Sequence, residues 1–101
     1  MNNNPIKIVH IYISGRVQGV SYRWWFQSEG EKKKLKGWVR NRNSNKVEAE
    51  ISGLEKNLNE MIIKCKEGPP LAEVKDVIVN YIDDFTEVKF NIKGIKILET
   101  I

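Results

Sequence analysis

The sequence has little of what several classes of protein require. Its single cysteine, Cys65, cannot close an intrachain disulfide, so no oxidising compartment is needed. With His10 as the single histidine, a zinc site of the His/Cys kind would have too few ligands. No segment approaches the roughly 20 apolar residues of a membrane span, and the N-terminus lacks the cationic and apolar stretches of a signal peptide. We therefore expect a soluble, cytoplasmic protein.

What the sequence does have is enough for one compact domain. Its 101 residues are 41% hydrophobic and 30% charged, a composition typical of globular chains and not of disordered ones. This length excludes a two-domain enzyme with its own nucleotide-binding half. We expect a flexible tail over residues 1–5 and a single domain over 6–101. The net charge of +4 indicates an anionic partner: nucleic acid, a membrane surface or a small phosphorylated molecule.

The spacing of apolar residues predicts a ferredoxin-like α+β fold. Strands are predicted over 6–14, 38–42, 46–52, 73–81 and 88–93, with a first helix from residue 22 to before 37 and a second from 54 to before 68. This βαββαβ order with an extra strand places two helices on one face of an antiparallel sheet. We expect Trp25, Phe26 and Lys33 to share one face of the first helix. In the third strand, Glu48, Glu50 and Ser52 are expected to face water.

The loop after the first strand is the strongest candidate for a binding site. Residues 15–21 contain two glycines and lead into a helix, so unpaired backbone N–H groups and the helix dipole converge there and favour an oxyanion. Arg23 lies in the first helical turn, where a cation costs up to about 1 kcal/mol unless an anion is bound beside it. A guanidinium grips two phosphate oxygens at once. The alternative is an ordinary strand-to-helix turn with a surface arginine.

Asn41, at the end of the second strand, is a second candidate. It is in phase with the apolar Val39, so its side chain is predicted to point inward, where a polar group needs a partner. The alternative is an asparagine that caps the following turn, because asparagine folds back on its own backbone. The spacing alone leaves both interpretations open.

A nucleic-acid-binding module of the same fold is the alternative from another class. It would use aromatic and cationic side chains on the sheet, namely Trp24, Trp25, Trp38, Arg16, Arg40 and Arg42. Against it, Glu48 and Glu50 lie on the outward phase of the third strand and would repel a phosphate backbone. The other reactive side chains, His10 and Cys65, are interpreted as a structural strand residue and a small buried hydrophobe.

Three stretches together resemble the acylphosphatase family. They are GRVQGVSYR over residues 15–23, GWVRN over 37–41, and GPP over 68–70 with Ala72 and Val74. Their order and spacing also match that family. The resemblance implies a ferredoxin-like fold and the hydrolysis of acyl phosphates to carboxylate and inorganic phosphate without metal or cofactor. It further implies a small-molecule partner, with no nucleic-acid or membrane partner, and we expect a monomer.

The resemblance also implies a role for individual residues. The backbone of the loop would cradle the phosphate, through Arg16, Val17, Gln18, Gly19 and Val20. Arg23 would grip the phosphate oxygens, and Asn41 would hold the attacking water. The sequence departs from the family pattern at Gly30, where alanine is usual, at Lys33 and Lys34, and at Asn45, where glycine is common. Residues 94–101 form a longer end than expected.

Overall fold

The computed structural model describes residues 6–82 and 94–101 and arranges them as a five-stranded sheet with two helices. The elements are β1 (Ile6–Arg16), α1 (Tyr22–Lys32), β2 (Lys36–Arg42), β3 (Lys46–Leu54), α2 (Glu55–Glu67), β4 (Glu73–Ile82) and β5 (Ile95–Ile97). The strand order is β4-β1-β3-β2-β5. The ferredoxin-like α+β prediction is confirmed. The tail predicted over 1–5 and the strand predicted over 88–93 lie outside the described residues.

The sheet is mixed, whereas an antiparallel sheet was predicted. β1 pairs antiparallel with β3 and β4, and β2 pairs antiparallel with β3, but β5 runs parallel to β2. The edge strand β5 belongs to the C-terminal segment 94–101, whose packing the sequence left open. Within the described ranges, neither helix is long and apolar enough to cross a membrane.

The core lies between the helices and one face of the sheet. Alternate residues of the central strands β1 and β3 are fully buried there. From α2 the buried residues are Leu58, Met61 and Cys65, so the predicted stripe is confirmed. α1 buries Tyr22, Phe26 and Gly30, and Trp25 packs against the same core. The side chain of Lys33, the residue after α1, is only 15% exposed, with its Nζ 3.3 Å from Glu29 Oε1. The predicted face is therefore confirmed, and Tyr22 and Gly30 extend it.

Gly30 allows the C-terminal segment to pack against α1. A Cβ atom at position 30 would occupy the space that Cδ1 of Ile95 fills. Glu31 and Gln27 fix the same strand, because Glu31 Oε2 accepts the backbone N–H of Ile95 at 3.0 Å and Gln27 donates to its carbonyl at 2.7 Å. The departure from the usual alanine thus has a packing reason.

The outer face of β3 is buried, which corrects the expectation that it faces water. Glu48 is 7% exposed and Glu50 is 9% exposed. β3 is the third of five strands, so side chains from both neighbouring strands cover it. Glu48 accepts hydrogen bonds from His10 Nε2 at 2.6 Å and from Arg42 Nη1 at 3.0 Å. Burial alone would raise the pKa of the Glu48 carboxyl, but these partners hold it below its usual value.

Candidate active site

Two glycines shape the end of β1 and the loop that leads from it to α1. Gly15 adopts φ +120° where β1 is bulged against β4, and a Cβ there would collide with the backbone of Glu73. Gly19 adopts φ +73° with open space around its missing Cβ, so only its backbone angle requires glycine. Val17, between them, is buried in the core and anchors the loop.

Among the described residues, the backbone N–H groups of this loop have no backbone hydrogen-bond acceptor. Within residues 6–82 and 94–101, no backbone carbonyl accepts a hydrogen bond from the N–H groups of residues 17–21. The N-cap of α1 is Ser21, in the left-handed region at φ 63°, and its side chain makes no capping hydrogen bond. The first turn of α1 also contains no acidic residue. The partial positive charge of the helix dipole at the start of α1 is therefore not neutralised by any side chain of its first turn.

Gln18 holds the loop against the β2–β3 hairpin. Its Nε2 donates to the carbonyl of Arg42 at 2.6 Å and to that of Lys46 at 3.1 Å. The sequence prediction used only the backbone of this residue. The bracing role was missed because the acceptors lie more than twenty residues away along the chain.

Arg23 lies in the first turn of α1 and has no carboxylate partner among the described residues. Its Nη1 donates to the carbonyl of Leu98 at 3.4 Å, which leaves the other guanidinium donors without a protein acceptor in the described ranges. The positive end of the helix dipole and the cationic guanidinium of Arg23 thus lie in the same helical turn. This arrangement favours a bound anion.

Asn41 points inward, as its phase with Val39 predicted. Its Oδ1 is buried and has no hydrogen-bond partner among the described residues. It does not cap the hairpin turn either, because the turn residue Asn43 donates its N–H to the carbonyl of Ile101 at 2.8 Å. A buried acceptor without a partner is uncommon in folded proteins and is found more often at functional sites.

The C-terminal segment connects the two candidate residues. Leu98 N–H donates to the carbonyl of Val39 at 2.9 Å, and Ile101 N–H donates to that of Asn41 at 3.2 Å. The carbonyl of Leu98 in turn accepts from Arg23. Residues 94–101 therefore fix the end of β2 relative to α1, a function that the sequence did not predict.

The predicted site residues meet in part. One cavity of about 430 Å³ is lined by Val17, Gln18, Gly19, Arg23, Trp24 and Asn41, together with Ser21, Tyr22 and Ile97. Arg16 lines a neighbouring groove instead, because it pairs in register with Glu73 at the end of β1. Val20 packs against the core and is not among the lining residues.

Cys65 is a structural residue and lies outside the cavity. Cys65 is fully buried on α2, and burial raises the pKa of its thiol to about 12. Its carbonyl accepts a hydrogen bond from the Tyr22 hydroxyl at 2.7 Å, which joins the two helices.

In the part of the chain that the structure describes, no three side chains of His, Cys, Asp or Glu are grouped as metal ligands. The fold and the cavity together define a ferredoxin-like domain with a pocket at the start of α1, of whose described lining residues only Arg23 is charged.

Comparison with known proteins identifies the family. The acylphosphatase family model matches residues 9–92. An acylphosphatase of Bacillus licheniformis is 44% identical over 85 residues, which are 81% of this chain and 92% of that protein. One of Rhodopseudomonas palustris is 47% identical over 72 residues, covering 71% of this chain and 73% of that protein. The crystal structure of the Bacillus subtilis acylphosphatase has a TM-score of 0.83 at 33% identity and covers 91% of this chain and 98% of its own. The chain belongs to the acylphosphatase family.

Proposed function

We propose that the protein hydrolyses acyl phosphates to a carboxylate and inorganic phosphate. The observation that carries this proposal is that residues 17–19, Arg23 and Asn41 line one cavity and that each brings a polar group without a full set of protein partners. These groups are the loop N–H groups, the Arg23 guanidinium and the Asn41 Oδ1. The first two are donors suited to a phosphate, and the third is an acceptor suited to a water molecule.

The phosphate is held by the amides of residues 17–19, which line the cavity, and by Arg23. The amides of Arg16 and Val20, which the resemblance also implied, belong to residues outside this lining. Phosphoryl transfer depends mainly on positioning and on stabilisation of charge at the three equatorial oxygens. The guanidinium and the helix N-terminus supply fixed positive charge there, which is effective because these groups need no reorganisation during the reaction. The Gln18 side chain keeps the loop in place.

Asn41 orients the attacking water. Its Oδ1 accepts a hydrogen bond from the water, whose oxygen lone pair forms the new bond to phosphorus as the bond to the acyl oxygen breaks. The electron pair of the broken bond leaves on the carboxylate. An amide is a poor base, so the proton of the water passes to a phosphate oxygen of the substrate. A carboxylate leaves without protonation, and no general acid is required.

The remaining properties complete the proposal. A single acylphosphatase domain spans residues 6–101, and the protein is a cytoplasmic monomer that acts without metal. It has no nucleic-acid partner, because such a module exposes the face of its sheet to the bases, whereas Glu48, Glu50 and Ser52 on the outer face of β3 are buried.

Phosphate release from acetyl phosphate and benzoyl phosphate in the presence of EDTA tests the function. The Arg23→Ala variant is expected to lose most activity. Lys56→Ala is the matched control, since Lys56 is the second residue of α2 as Arg23 is the second of α1. A wild-type rate equal to spontaneous hydrolysis contradicts the function, and equal losses in both variants contradict the role of Arg23. Binding of a labelled oligonucleotide at low salt would support the nucleic-acid alternative.

A further inference from the structure

The C-terminal strand β5 is an edge strand of the sheet in the described part of the chain, with β2 as its neighbour. Alternate residues of an edge strand turn their N–H and C=O groups away from the sheet, where another partner is needed. In β5 such a residue is Ile95, which is 2% exposed. Since water hardly reaches Ile95, its backbone groups need a partner within the protein.

Two side chains of α1 supply that partner. Glu31 Oε2 accepts the N–H of Ile95 at 3.0 Å, and Gln27 Nε2 donates to the carbonyl of Ile95 at 2.7 Å. Gln27 and Glu31 are four residues apart and therefore lie on the same face of the helix. Together they bind both backbone groups of one residue, as a further strand would. We call this pair of side chains the β5 clamp.

Two glycines make room for the β5 clamp. A Cβ atom at Gly30 would occupy the space of Ile95 Cδ1, and a Cβ atom at Gly94 would meet Glu31 Oε2. The carbonyl of Gly94 also accepts the N–H of Gly37 on β2 at 3.0 Å. The end of α1, the start of β5 and the start of β2 are thus fixed to one another at this point.

The chain that follows the β5 clamp contacts both proposed catalytic residues. The carbonyl of Leu98 accepts a hydrogen bond from Arg23 Nη1 at 3.4 Å. The N–H of Ile101 donates to the carbonyl of Asn41 at 3.2 Å. Leu98 is only three residues beyond Ile95, so a displacement of Ile95 is passed on to these contacts.

We propose that Gln27 and Glu31 are positioning residues for the hydrolysis: by holding Ile95, they keep Arg23 and Asn41 aligned with each other. The inference rests on the proposed function. Neither Gln27 nor Glu31 lines the cavity. A hydrogen bond in the last turn of α1 is therefore expected to control kcat at a site built on its first turn.

Measurement of kcat and KM for benzoyl phosphate, by phosphate release in EDTA, tests the β5 clamp. Glu31→Ala removes the acceptor and is expected to lower kcat about tenfold, less than the 10²-fold cost of a 1 Å misplacement because β5 keeps its contacts with β2. Glu31→Gln keeps an oxygen that accepts the same N–H, so its kcat is expected to stay within about twofold of wild type. Glu29→Ala is the matched control, because Glu29 is a glutamate of the same helix that binds Lys32 and Lys33 instead of β5.

Amide hydrogen exchange gives a second readout that does not depend on activity. The N–H groups of Leu98 and Ile101 are bonded to carbonyls of β2, so loosening of β5 speeds their exchange. Glu31→Ala is expected to speed this exchange roughly tenfold, and Glu29→Ala is expected to leave it unchanged. Gln27→Ala removes the hydrogen bond to the Ile95 carbonyl and is expected to give the same changes in kcat and exchange. It replaces Glu31→Ala if circular dichroism shows that Glu31→Ala does not fold.

The outcomes separate the β5 clamp from the proposed function. If the wild type releases no phosphate above the spontaneous rate, the proposed function is wrong and the positioning role fails with it. If the wild type is active but kcat of Glu31→Ala stays within about twofold of it, the positioning role is wrong and the function stands. An equal loss of kcat in Glu31→Gln or in Glu29→Ala also overturns the role, because the loss would not come from the acceptor of Ile95. Unchanged exchange at Leu98 in Glu31→Ala overturns it whatever the activity.

Discussion

Replacing Asn41 by leucine is expected to stabilise the protein while removing its activity. The Oδ1 atom of Asn41 is buried without a partner among the described residues. Such an acceptor costs about 1–3 kcal/mol relative to a satisfied one. Leucine has nearly the same shape and no polar atom, so Asn41→Leu relieves this cost without leaving a large cavity. Taking the lower figure, because Asn41 is only half-buried as a whole, the gain is about 1 kcal/mol, which corresponds to a rise in Tm of about 4–8 °C.

Activity is expected to change in the opposite direction. Without the amide oxygen the attacking water is no longer aligned, and misalignment of this kind costs about 10²-fold in rate. The measurements are the Tm by circular dichroism and the initial rate of phosphate release from benzoyl phosphate. Asn80→Leu is the control, since Asn80 is an exposed strand residue on β4 and tests the effect of strand propensity alone.

Two results would refute the reasoning. A Tm below that of the wild type would show that the amide makes a stabilising interaction in the free protein. A rate within about threefold of wild type would show that Asn41 does not orient the water, since the expected loss is about 10²-fold. A rise in Tm of equal size in Asn80→Leu would attribute the gain to strand propensity and not to the buried oxygen.

Three further predictions concern packing, pH and the loop. Gly30→Ala is expected to destabilise the wild type by about 1 kcal/mol, because the new Cβ meets Cδ1 of Ile95. In an Ile95→Val background, which lacks that atom, the same substitution is expected to stabilise the protein by about 1 kcal/mol through helix propensity. If the effects of the two substitutions on the free energy of unfolding in urea are additive, this reasoning is contradicted. Because the pKa of Glu48 is lowered in the folded state, its contribution to stability is present above the usual carboxyl pKa of 4.5 and is lost as pH falls through the lowered value. Glu48→Gln is thus expected to be less stable than wild type near neutral pH, with Tm values that converge in acid; a constant difference in Tm would disprove it. Gln18→Ala loses two hydrogen bonds that brace the loop, so KM is expected to rise up to about tenfold, and an unchanged KM would exclude the bracing role.

The elements predicted best are those that depend on the pattern of residues close together in the sequence. The apolar spacing of α2 places Leu58, Met61 and Cys65 in the core as expected. The positive φ of Asn45, at 58°, agrees with its place in the predicted hairpin turn. The buried face of α1 extends beyond the residues predicted for it because it includes a glycine, Gly30, which carries no hydrophobic signal.

The candidate site was predicted unevenly for the same reason. Gly19 and Arg23 belong to one contiguous stretch, and their positions follow from local backbone conformation. The inward phase of Asn41 was also local. The hydrogen bond from Gln18 to Arg42 joins residues 24 positions apart, and the one from Arg23 to Leu98 joins residues 75 positions apart. A pattern within a few residues cannot predict such contacts.

The sequence by itself determined a ferredoxin-like domain, a glycine-containing loop before a helix, and an arginine at the positive end of that helix, because each depends on periodicity or backbone angles over short distances. The tertiary structure alone decided which charges are buried and what surrounds the pocket. Glu48 and Glu50 alternate like solvated residues, yet pairing of β3 between two strands covers them. Trp24 and Ile97 likewise border one cavity only because β5 pairs with β2 at the edge of the sheet. The burial of a side chain and its distance from other side chains depend on which distant segments pair. The spacing of residues within one segment does not predict that pairing.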